Sequence, residues 1–535
     1  ILRKGVWTAV KATEEIGAKL VLAGQPDPEI DINKLPKHCE YIGTVDQEGR
    51  ARLLGGAIAT FCPTIYLEPF CLPPDTYIDG VNKRISECQV SDKVLGLNDD
   101  KQQILHTLKR DVAEQLIKIK GRFILPFMAT ANHPILVAKI GCKYVPGLKK
   151  MHKKPCAYYL EKTEWKPANQ LQVGDYLVFP KYKKEIDVET LDLSKYIQDR
   201  VRDSNREKLK NVCVDSDLMW LLGIYLAEGH IGRRKNHGKY QKNHGLGITV
   251  GVHEKDKLER ASKIIEEKFG YSSYIFESKN DKSAHLTLSG YPISRFFEDT
   301  FGSGARNKSI PDWIMDLPKK KLWPFLQAYI DGDGSLINGN LQISTVSEKL
   351  AHQLQLAFSK FDILLSVCKR DGMDRKIRGR SIKSGPIFVL TTRRLHTLEG
   401  SSKPTRTLYK EDSYNFYIPI KKIEGVFYEG PVYNLSTEDS TFRVSNIIVH
   451  NCTLHAESMA VGTPVITTSF GVFGGDTFVD GVHGFKCNTL DDFVFAAKNA
   501  HKLDRYEVRK QGEKFFTKNV QWQFQRWFDD LYQLY

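Results

Sequence analysis

The order of strand-like and helix-like segments constrains the fold of this 535-residue chain more than any other feature. Near the N-terminus, residues 5–17 have helical periodicity, and the apolar run 19–24 ends in glycine, as a short buried strand often does. After residue 452 come a helix, the apolar strand 463–470, glycine-rich turns and a helix from Asp491. This alternation is typical of a parallel sheet, so we predict α/β structure at both ends of the chain.

The middle of the chain follows a different pattern. Residues 71–180 contain short β-like runs separated by Pro, Gly and Asp turns, whereas residues 211–400 contain two blocks of helix and strand. The charge divides at nearly the same points, because residues 71–451 carry a net charge of +16 and each flank carries −1. We therefore predict an α/β domain interrupted by a basic insert, which favours a polyanionic partner. A solvated, lysine-rich surface would explain the same excess more simply.

Two further features exclude broad classes of protein. Ten cysteines without a Cys-x-x-Cys pair argue against a disulfide scaffold and against a zinc ribbon. No apolar run reaches the roughly 18 residues that a membrane span requires. We therefore expect a monomeric, cytoplasmic protein without a membrane span.

Residues suited to peptide-bond rearrangement stand at both ends of the insert. Cys71 begins it, and a cysteine thiolate can attack the preceding carbonyl and convert an amide into a thioester. Asn451 ends it, and an asparagine side-chain amide can attack its own carbonyl, close a succinimide and break the chain. Cys452 follows as a second thiol. Thr130 and His133 supply a hydroxyl and an imidazole for general acid–base work.

Together these residues resemble the splicing blocks of an intein, a self-splicing insert, over residues 71–451. The resemblance implies an all-β splicing domain of the Hint type. It also implies the catalytic roles: Cys71 and Cys452 as nucleophiles, Thr130 and His133 as activators of the first bond, and His450 as the aid to cyclisation of Asn451. Many inteins have Asp where this chain has Asn434, and His where it has Thr441. Because both usually help to relay protons, these departures bear on the later steps of splicing.

The insert contains an internal repeat. Residues 221–229 and 326–334 are matching apolar helices, each with an acidic residue followed by glycine at its end. Small residues would let the two helices pack closely and place Glu228 beside Asp333. Such a pair of carboxylates can hold Mg²⁺ between protein and phosphate. Two amphipathic core helices capped by acids are the alternative, which poorly explains two copies 105 residues apart.

The repeat resembles the LAGLIDADG homing endonucleases, which have an α/β fold, over about residues 211–400. Lys308 matches the lysine before the family's second motif helix and supports a hydrolytic site with Glu228 and Asp333 as Mg²⁺ ligands. The resemblance implies double-stranded DNA as partner, contacted by basic strand tips: Arg233, Arg234, Lys235, Lys242, Lys369, Arg370, Arg378, Arg380 and Lys383. Such residues neutralise phosphates and reach base edges, although exposed turns are often rich in Lys and Arg.

Removing residues 71–451 joins Phe70 to Cys452 and leaves Glu68 and Glu457 separated by seven residues. The joined sequence resembles the Glu-seven-Glu motif of nucleotide-sugar glycosyltransferases with two Rossmann-like domains, over the donor-binding half only. The resemblance implies that Glu457 holds the ribose hydroxyls and that Glu68 lies close to the donor sugar. It also implies that Lys4 binds the diphosphate of a nucleotide-diphosphate sugar. Two surface acids at this spacing would not recreate the surrounding sequence.

These observations predict six segments: flank 1–70, splicing segment 71–180, linker or DNA contact 181–210, endonuclease 211–400, splicing segment 401–451 and flank 452–535. The flanks would be Rossmann-like, and the splicing reaction would require no cofactor. Two alternatives stay open. One is a stable glycosyltransferase with a permanently inserted, non-splicing DNA-binding module, and the other is a splicing protein whose endonuclease is inactive.

Overall fold

The structure is a computed structural model. It describes residues 6–24, 34–43, 45, 47–62, 71–144, 156–197, 203–236, 239–278, 282–337, 340–372, 375–377, 380–382, 385–392, 408–437, 441–450, 458–468 and 479–513. None of the helices in these ranges is both long enough and apolar enough to cross a membrane.

The N-terminal flank alternates helices and strands: α1 Val6–Glu15, β1 Leu20–Ala23, β2 Cys39–Gly43, α2 Gln47–Gly56 and β3 Thr60–Cys62. Strands β1 and β2 pair in parallel, as expected for α/β structure. Helix α2 was not expected from the sequence. Its residues QEGRARLLGG show no amphipathic period, because glycine and arginine interrupt the apolar positions.

The described residues between 71 and 197 form strands and short 3₁₀ turns. The strands are β4 Tyr77–Ile78, β5 Lys83–Arg84, β6 Lys93–Leu95, β7 Lys101–Gly121, β8 Phe127–Ala129, β9 Pro134–Tyr144, β10 Cys156–Pro167, β11 Tyr176–Pro180 and β12 Thr190–Leu191. The sequence indicated several short strands here, but it did not indicate the 21-residue strand β7.

The middle of the chain repeats one arrangement of helices and strands. The first copy follows α3 Asp203–Lys210 and β13 Val212–Cys213, and it contains α4 Ser216–Glu228, β14 Gly229–Asn236, β15 Lys239–Gly251, α5 Lys255–Phe269, β16 Tyr274–Glu277, β17 Ser283–Ser289 and α6 Tyr291–Phe301. The second contains α7 Asp312–Met315, α8 Lys319–Asp333, β18 Gly334–Ile337, β19 Asn340–Thr345, α9 Glu348–Ser359, β20 Ser366–Arg370, β21 Arg375–Ile377, β22 Arg380–Ile382 and β23 Ile387–Thr392. The copies form four-stranded antiparallel sheets in the orders β14-β15-β17-β16 and β18-β19-β23-β20.

The last part of the chain contributes strands to two different sheets. Its elements are β24 Lys410–Glu411, β25 Asn415–Thr437, β26 Thr441–Val444, β27 Ile447–His450, β28 Val465–Thr468, β29 Gly484–Cys487, α10 Leu490–Asn499 and α11 Arg505–Glu513. Strands β25, β26 and β27 enter a 12-stranded sheet in the order β5-β4-β26-β27-β9-β11-β25-β7-β6, with β8, β10 and β24 alongside. Because strands from before and after the repeat alternate, neither segment completes this sheet alone.

The two flanks share a three-stranded parallel sheet, although the insert separates them in sequence. Strand β28 lies between β29 and β3, and Val465 is paired with Thr60. The Ser458 hydroxyl donates to the Thr60 hydroxyl at 2.8 Å, and the Thr463 hydroxyl donates to the Leu54 carbonyl at 2.6 Å. The flanks are therefore folded together around the insert.

One large hydrophobic core joins the 12-stranded sheet to the helical repeat. It includes Leu72 and Val449 near the two ends of the insert, and it extends to the helices α4, α8 and α9. Leu193 and Leu209, from the segment between the sheet and the repeat, are buried in the same core. The described part of that segment is therefore packed against the domain rather than exposed as a free connection.

Candidate functional site

The two repeat helices α4 and α8 pack against each other at positions without large side chains. A Cβ added to Gly223 would lie 2.2 Å from the Phe325 carbonyl oxygen, and one added to Gly332 would lie 2.5 Å from the Cβ of Ala227. Only glycine permits contacts this close. The packing brings the last residues of the helices, Glu228 and Asp333, close enough for their charges to interact.

The electrostatics of this carboxylate pair favour a cation. Burial, reinforced by the charge of Asp333, raises the pKa of Glu228 to about 7. Burial also raises the pKa of Asp333, and the ammonium of Lys308 opposes that shift. Two neighbouring carboxylates that resist ionisation become easier to ionise when a divalent cation lies beside them.

The residues present fit a cation shared with a substrate better than a closed metal cage. Within the part of the chain that the structure describes, no group of three or more His, Cys, Asp or Glu side chains could hold a metal. Glu228 and Asp333 would supply two carboxylate ligands, which is the number typical of Mg²⁺ sites completed by phosphate and water oxygens. The bound cation would provide charge stabilisation for a phosphodiester and activation of water.

The ammonium group of Lys308 lies at the C-terminal end of α4, the helix that carries Glu228. Its ammonium donates to the carbonyl oxygens of Leu226 at 2.7 Å and Ala227 at 2.9 Å. Burial lowers the pKa of Lys308, while Asp333 and Glu228 act in the opposite direction. The lysine therefore satisfies two terminal carbonyls of α4 and keeps a positive charge beside the carboxylates.

A second lysine, which the sequence did not single out, caps the other helix. The ammonium of Lys257 donates to the Asp331 carbonyl oxygen in α8 at 2.7 Å and to a carboxylate oxygen of Glu254 at 2.5 Å. Charges of Glu254 and Lys257 also act on Glu228. Lys257 is one of several charged residues at the start of α5, so no local pattern distinguishes it.

As far as they are described, the basic residues assigned to DNA binding lie on the two four-stranded sheets, except Arg380, which lies in the separate two-stranded sheet β21-β22. Strands β14 and β18 begin at Gly229 and Gly334, directly after the two acids, so each sheet extends from the carboxylate end. Lys369 and Arg370 are exposed at the end of β20. Backbone alone is described for five others, in β14 Arg233, Arg234 and Lys235, in β15 Lys242, and in β22 Arg380. Arg378 and Lys383 lie outside the described residues.

The N-terminal end of the insert is bound to the segment that contains Thr130. The backbone N–H of Cys71 donates to the Thr130 hydroxyl at 3.0 Å, and the Thr130 N–H donates to the Cys71 carbonyl at 2.9 Å. Leu72 and Tyr433 exchange two backbone hydrogen bonds of 2.8 Å, which fixes Cys71 beside β25. Burial raises the pKa of the Cys71 thiol to about 12, and the guanidinium of Arg110 opposes this shift.

Arg110 was not among the residues that the sequence indicated. It lies on β7 directly opposite Val432 of β25, and Cys71 packs in a small apolar cluster with Val432 and Leu116. The Arg110 guanidinium also donates to a carboxylate oxygen of Glu114 at 2.9 Å. The segments that contain Cys71 and Arg110 both pair with β25, so their contact depends on the tertiary fold and not on local sequence.

The C-terminal end of the insert reaches the same segment from the other side. Val449 is paired with Ile135, and His450 is the last residue of β27, with its imidazole edge-on to Trp165 at a centroid distance of 4.9 Å. His133 is fully buried, and its backbone N–H donates to the Thr130 carbonyl at 3.0 Å. Asn451 and Cys452 lie outside the described residues.

The two positions that depart from the intein pattern are both engaged by backbone groups. Thr441 is paired with His450, and its hydroxyl accepts the N–H of Leu97 at 2.9 Å. The side-chain oxygen of Asn434 accepts the N–H of Leu435 at 2.9 Å. Both side chains therefore have fixed structural partners in this state. The flank residues Lys4, Glu68 and Glu457 lie outside the described residues.

A family model supports the assignment of the repeat. Residues 215–300 and 322–403 match the model of the LAGLIDADG-like domain. This match confirms the LAGLIDADG part of the prediction, and the middle of the chain contains a LAGLIDADG-type α/β domain. The splicing and glycosyltransferase assignments stay predictions.

Three curated relatives are similar over most of this chain. An uncharacterized protein of Methanocaldococcus jannaschii is 27% identical over 454 residues, covering 77% of this chain and 55% of the relative. The ATP-dependent DNA helicase Hel308 of Thermococcus kodakarensis is 24% identical over 436 residues, covering 74% and 36%. An iron–sulfur cluster assembly SufBD family protein of Mycobacterium tuberculosis is 26% identical over 413 residues, covering 72% and 43%. The chain thus spans about a third to a half of each relative.

Two solved structures are remotely similar to part of this chain. I-DmoI in complex with DNA and Mn is 16% identical, with a TM-score of 0.26, and the match covers 35% of this chain and 94% of that one. The homing endonuclease I-WcaI bound to its DNA recognition sequence is 12% identical, with a TM-score of 0.24, and the match covers 37% and 87%.

Proposed function

We propose that this chain is a protein-splicing precursor in which the insert 71–451 excises itself and joins Phe70 to Cys452. The inserted LAGLIDADG-like domain is a homing endonuclease that cuts double-stranded DNA with Mg²⁺. The joined flanks form the donor-binding domain of a nucleotide-sugar glycosyltransferase.

The splicing chemistry balances without a cofactor. The Cys71 thiol adds to the Phe70 carbonyl carbon, the C–N bond breaks, and the thiol proton ends on the Cys71 nitrogen. The Cys452 thiol then displaces the Cys71 thiol from this thioester. The Asn451 side-chain nitrogen attacks its own carbonyl, which breaks the Asn451–Cys452 bond and leaves a succinimide on the insert. The free Cys452 amine finally displaces its own sulfur, which gives the amide between Phe70 and Cys452.

One observation carries this proposal: both ends of the insert are held by the short segment 130–135. Thr130 is hydrogen-bonded to the nitrogen of Cys71, and Ile135 is paired with Val449, two residues before Asn451. The insert spans 381 residues, so this convergence is a property of the fold and not of local sequence. It is the arrangement that an acyl transfer between two distant peptide bonds requires.

The curated relatives give independent support. An alignment over 72% of this chain includes about 385 residues, and the flanks supply at most 154, so more than 200 aligned residues belong to the insert. The same reasoning applies to the helicase, where the alignment covers 74%. A helicase and an iron–sulfur assembly protein have unrelated functions by name. A shared segment within such different proteins is what a mobile insert produces.

The test of splicing is to express the unmodified chain and to look for products of 154 and 381 residues by mass spectrometry. The substitution Cys71→Ala should block ligation while C-side cleavage at Asn451 persists. The double substitution Cys71→Ala, Asn451→Ala should leave the chain intact. Joined flanks from that double variant would exclude the mechanism. An unmodified chain that never splices would favour the alternative, a glycosyltransferase with a permanently inserted DNA-binding module.

The endonuclease is tested on duplex DNA that encodes the Phe70–Cys452 junction. The double variant Cys71→Ala, Asn451→Ala serves as the parent, because it stays intact. We expect cleavage with Mg²⁺ and none in chelator, and either Glu228→Gln or Asp333→Asn should abolish cleavage while DNA binding persists. Binding should weaken steeply with salt, because it depends on many Lys and Arg contacts to phosphate. Unchanged cleavage in chelator would exclude this site.

A further inference from the structure

Helix α9, which belongs to the second half of the LAGLIDADG-like domain, presents a polar stripe to the 12-stranded sheet. The stripe consists of Glu348, His352, Gln355 and Ser359, whose spacing of four, three and four residues places them on one helix face. Each of these side chains contacts a residue outside the LAGLIDADG-like repeat. The inserted domain is therefore joined to the sheet by specific polar contacts as well as by apolar packing.

Three of the four contacts connect α9 to the beginning of the insert and to the segment after β11. Glu348 forms an ion pair with Arg84. The imidazole of His352 stacks on Tyr77 with a centroid distance of 4.2 Å. The Ser359 hydroxyl accepts the backbone N–H of Tyr182 at 3.0 Å.

Gln355 makes the contact that matters most for the C-terminal splice junction. Its amide nitrogen donates to the carbonyl oxygens of Phe123 at 2.8 Å and Leu365 at 2.7 Å. Because both amide hydrogens are used by carbonyls, the orientation of the amide is fixed and its oxygen faces the other way. That oxygen accepts a hydrogen bond of 3.1 Å from the side-chain nitrogen of Asn446. Gln355 is 1% exposed, so water does not replace these partners.

Asn446 lies at the tip of the β26–β27 hairpin. The tip is a two-residue loop between the paired residues Val444 and Ile447. Ser445 has a φ of 51° and Asn446 a φ of 62°, the left-handed conformation that two-residue hairpin loops of type I′ require. The backbone N–H of Asn446 donates to the buried carboxylate of Asp79 at 2.6 Å. The loop is therefore held on one side by Asp79 and on the other by Gln355.

This loop sets the register of the strand that carries His450. The hairpin has four internal pairs, from Val444–Ile447 to Thr441–His450. Among the described residues, one further pair joins β26 to β4 and one joins β27 to β9. Strand β26 is anchored by the buried side chain of Arg443, which donates to the Gly96 carbonyl at 2.7 Å, and by the Thr441 hydroxyl, so the loop fixes how β27 is aligned against β26. A slip of one residue would turn the His450 side chain to the opposite face of the sheet.

We propose that Gln355, a residue of the LAGLIDADG-like domain, is a positioning residue for the C-terminal step of splicing: it holds Asn446 and thereby the register that places His450 at the Asn451 junction. The LAGLIDADG-like domain then contributes directly to splicing by stabilising the geometry of the C-terminal junction. This inference rests on the proposed splicing function.

Helix α9 offers a matched control in Gln353. Its amide also makes two buried hydrogen bonds, but both join it to Ile310, with the Ile310 N–H donating at 2.8 Å and the Ile310 carbonyl accepting at 2.5 Å. Ile310 lies two residues after Lys308, within the LAGLIDADG-like domain. Gln353→Ala therefore removes a similar number of contacts from the same helix without touching the β26–β27 hairpin.

The experiment uses the full chain in two backgrounds. Cys71→Ala isolates C-side cleavage, which releases residues 452–535, and Asn451→Ala isolates thiol-induced cleavage before Cys71. We expect Gln355→Ala to slow C-side cleavage by about tenfold, the effect of losing a buried hydrogen bond of ordinary strength. Thiol-induced cleavage should change by less than about twofold. Gln353→Ala should leave both splicing reactions within about twofold, and it should reduce DNA cleavage instead.

Adding Asn446→Gly to Gln355→Ala should restore C-side cleavage to within about threefold. Glycine adopts a positive φ readily and has no side-chain amide to leave unsatisfied. Equal loss of both cleavage reactions, or equal effects of Gln353→Ala and Gln355→Ala on C-side cleavage, would overturn the positioning role. Absence of C-side cleavage in the Cys71→Ala parent is a different result, because it would contradict the proposed splicing function itself.

Discussion

The backbone nitrogen of Cys71 donates a hydrogen bond to the Thr130 hydroxyl at 3.0 Å, while the Thr130 N–H donates to the Cys71 carbonyl at 2.9 Å. In the proposed splicing reaction, the nitrogen of Cys71 leaves the Phe70 carbonyl in the first step. This nitrogen needs a proton as it leaves, and the two hydrogen bonds hold the Thr130 hydroxyl beside it. Thr130 is therefore placed to act on the N-terminal junction.

We expect Thr130→Val to slow thiol-induced cleavage before Cys71 by about tenfold to a hundredfold, as loss of one proton-transfer group does. The reaction is measured in the Asn451→Ala background, where later steps cannot contribute. Thr130→Ser keeps the hydroxyl and should retain cleavage within about threefold. An equal loss in the valine and serine variants would contradict this role, because serine keeps the hydroxyl that the role requires.

Arg110 should control the ionisation of Cys71. Burial raises the pKa of the Cys71 thiol to about 12, and the Arg110 guanidinium is the positive charge that opposes this shift. Removing the charge should therefore raise the thiol pKa further and reduce the thiolate fraction at a given pH. We expect Arg110→Met to move the pH profile of thiol-induced N-side cleavage to higher pH, with Arg110→Lys close to the parent. A slower reaction with an unchanged pH profile would mean that Arg110 acts through packing.

The sequence indicated the two ends of the insert and the internal repeat, because the signals for these features are local or recur along the chain. The acids Glu228 and Asp333 each end an apolar helix, so the local pattern alone is enough to recognise both helices and their terminal acids. Lys257 and Arg110 could not be recognised in this way, because their roles depend on neighbours that the fold brings from distant segments. The same limit hid the pairing of β7 with β25, in which Arg110 meets Val432 across more than 300 residues of sequence.

Helix boundaries show the same contrast within the flanks. Helix α1 was expected over 5–17 and spans Val6–Glu15, because its apolar residues recur with helical spacing. Helix α2 has no such spacing, so tertiary packing must stabilise it. The hydrogen bond from Thr463 to Leu54 shows how the C-terminal flank contributes to that packing.

The carboxylate pair should cost stability in the absence of a divalent cation. The pKa of Glu228 is raised to about 7 in the folded protein, above its unfolded value, so ionisation of Glu228 favours unfolding. The penalty is small below about pH 4.5 and is complete above about pH 7. We expect Glu228→Gln to raise the free energy of unfolding by roughly 1–2 kcal/mol at pH 8, after allowance for the partial exposure of the side chain, with the gain lost near pH 4.5.

Chemical denaturation at pH 8 and pH 4.5, without divalent cations, measures this difference. Glu259→Gln, at an exposed position on α5, serves as the charge-matched control and should change stability by less than about 0.5 kcal/mol. Added Mg²⁺ should stabilise the parent more than Glu228→Gln, because the cation binds the folded state through that carboxylate. A gain that is equal at both pH values would contradict the assigned ionisation.

The close approach of α4 and α8 should depend on Gly223. An alanine Cβ would lie 2.2 Å from the Phe325 carbonyl oxygen, so the helices would have to separate. We expect Gly223→Ala to destabilise the chain by about 1–3 kcal/mol, the usual cost of overpacking, and to reduce DNA cleavage although both acids remain. Gly232→Ala is the control, because its Cβ would meet only the Gly245 carbonyl oxygen at 3.5 Å. Similar melting temperatures for the two variants would show that the helix pair tolerates separation.

The last prediction concerns the flanks, where the insert separates two residues proposed to share one donor site. The parallel pairing of Val465 with Thr60 and the bond between Ser458 and Thr60 hold the flanking sheet together with the insert in place. Glu68 and Glu457, however, stand on opposite sides of the insert in the sequence, so the seven-residue connection between them does not exist before ligation.

We therefore expect the unspliced double variant Cys71→Ala, Asn451→Ala to bind a nucleotide-diphosphate sugar at least tenfold more weakly than a directly expressed fusion of 1–70 to 452–535. Isothermal titration of both proteins with the same ligand, and with Glu457→Gln in the fusion as control, measures the difference. Equal affinity would show that the insert leaves the donor site intact, and ligation would then not act as its switch.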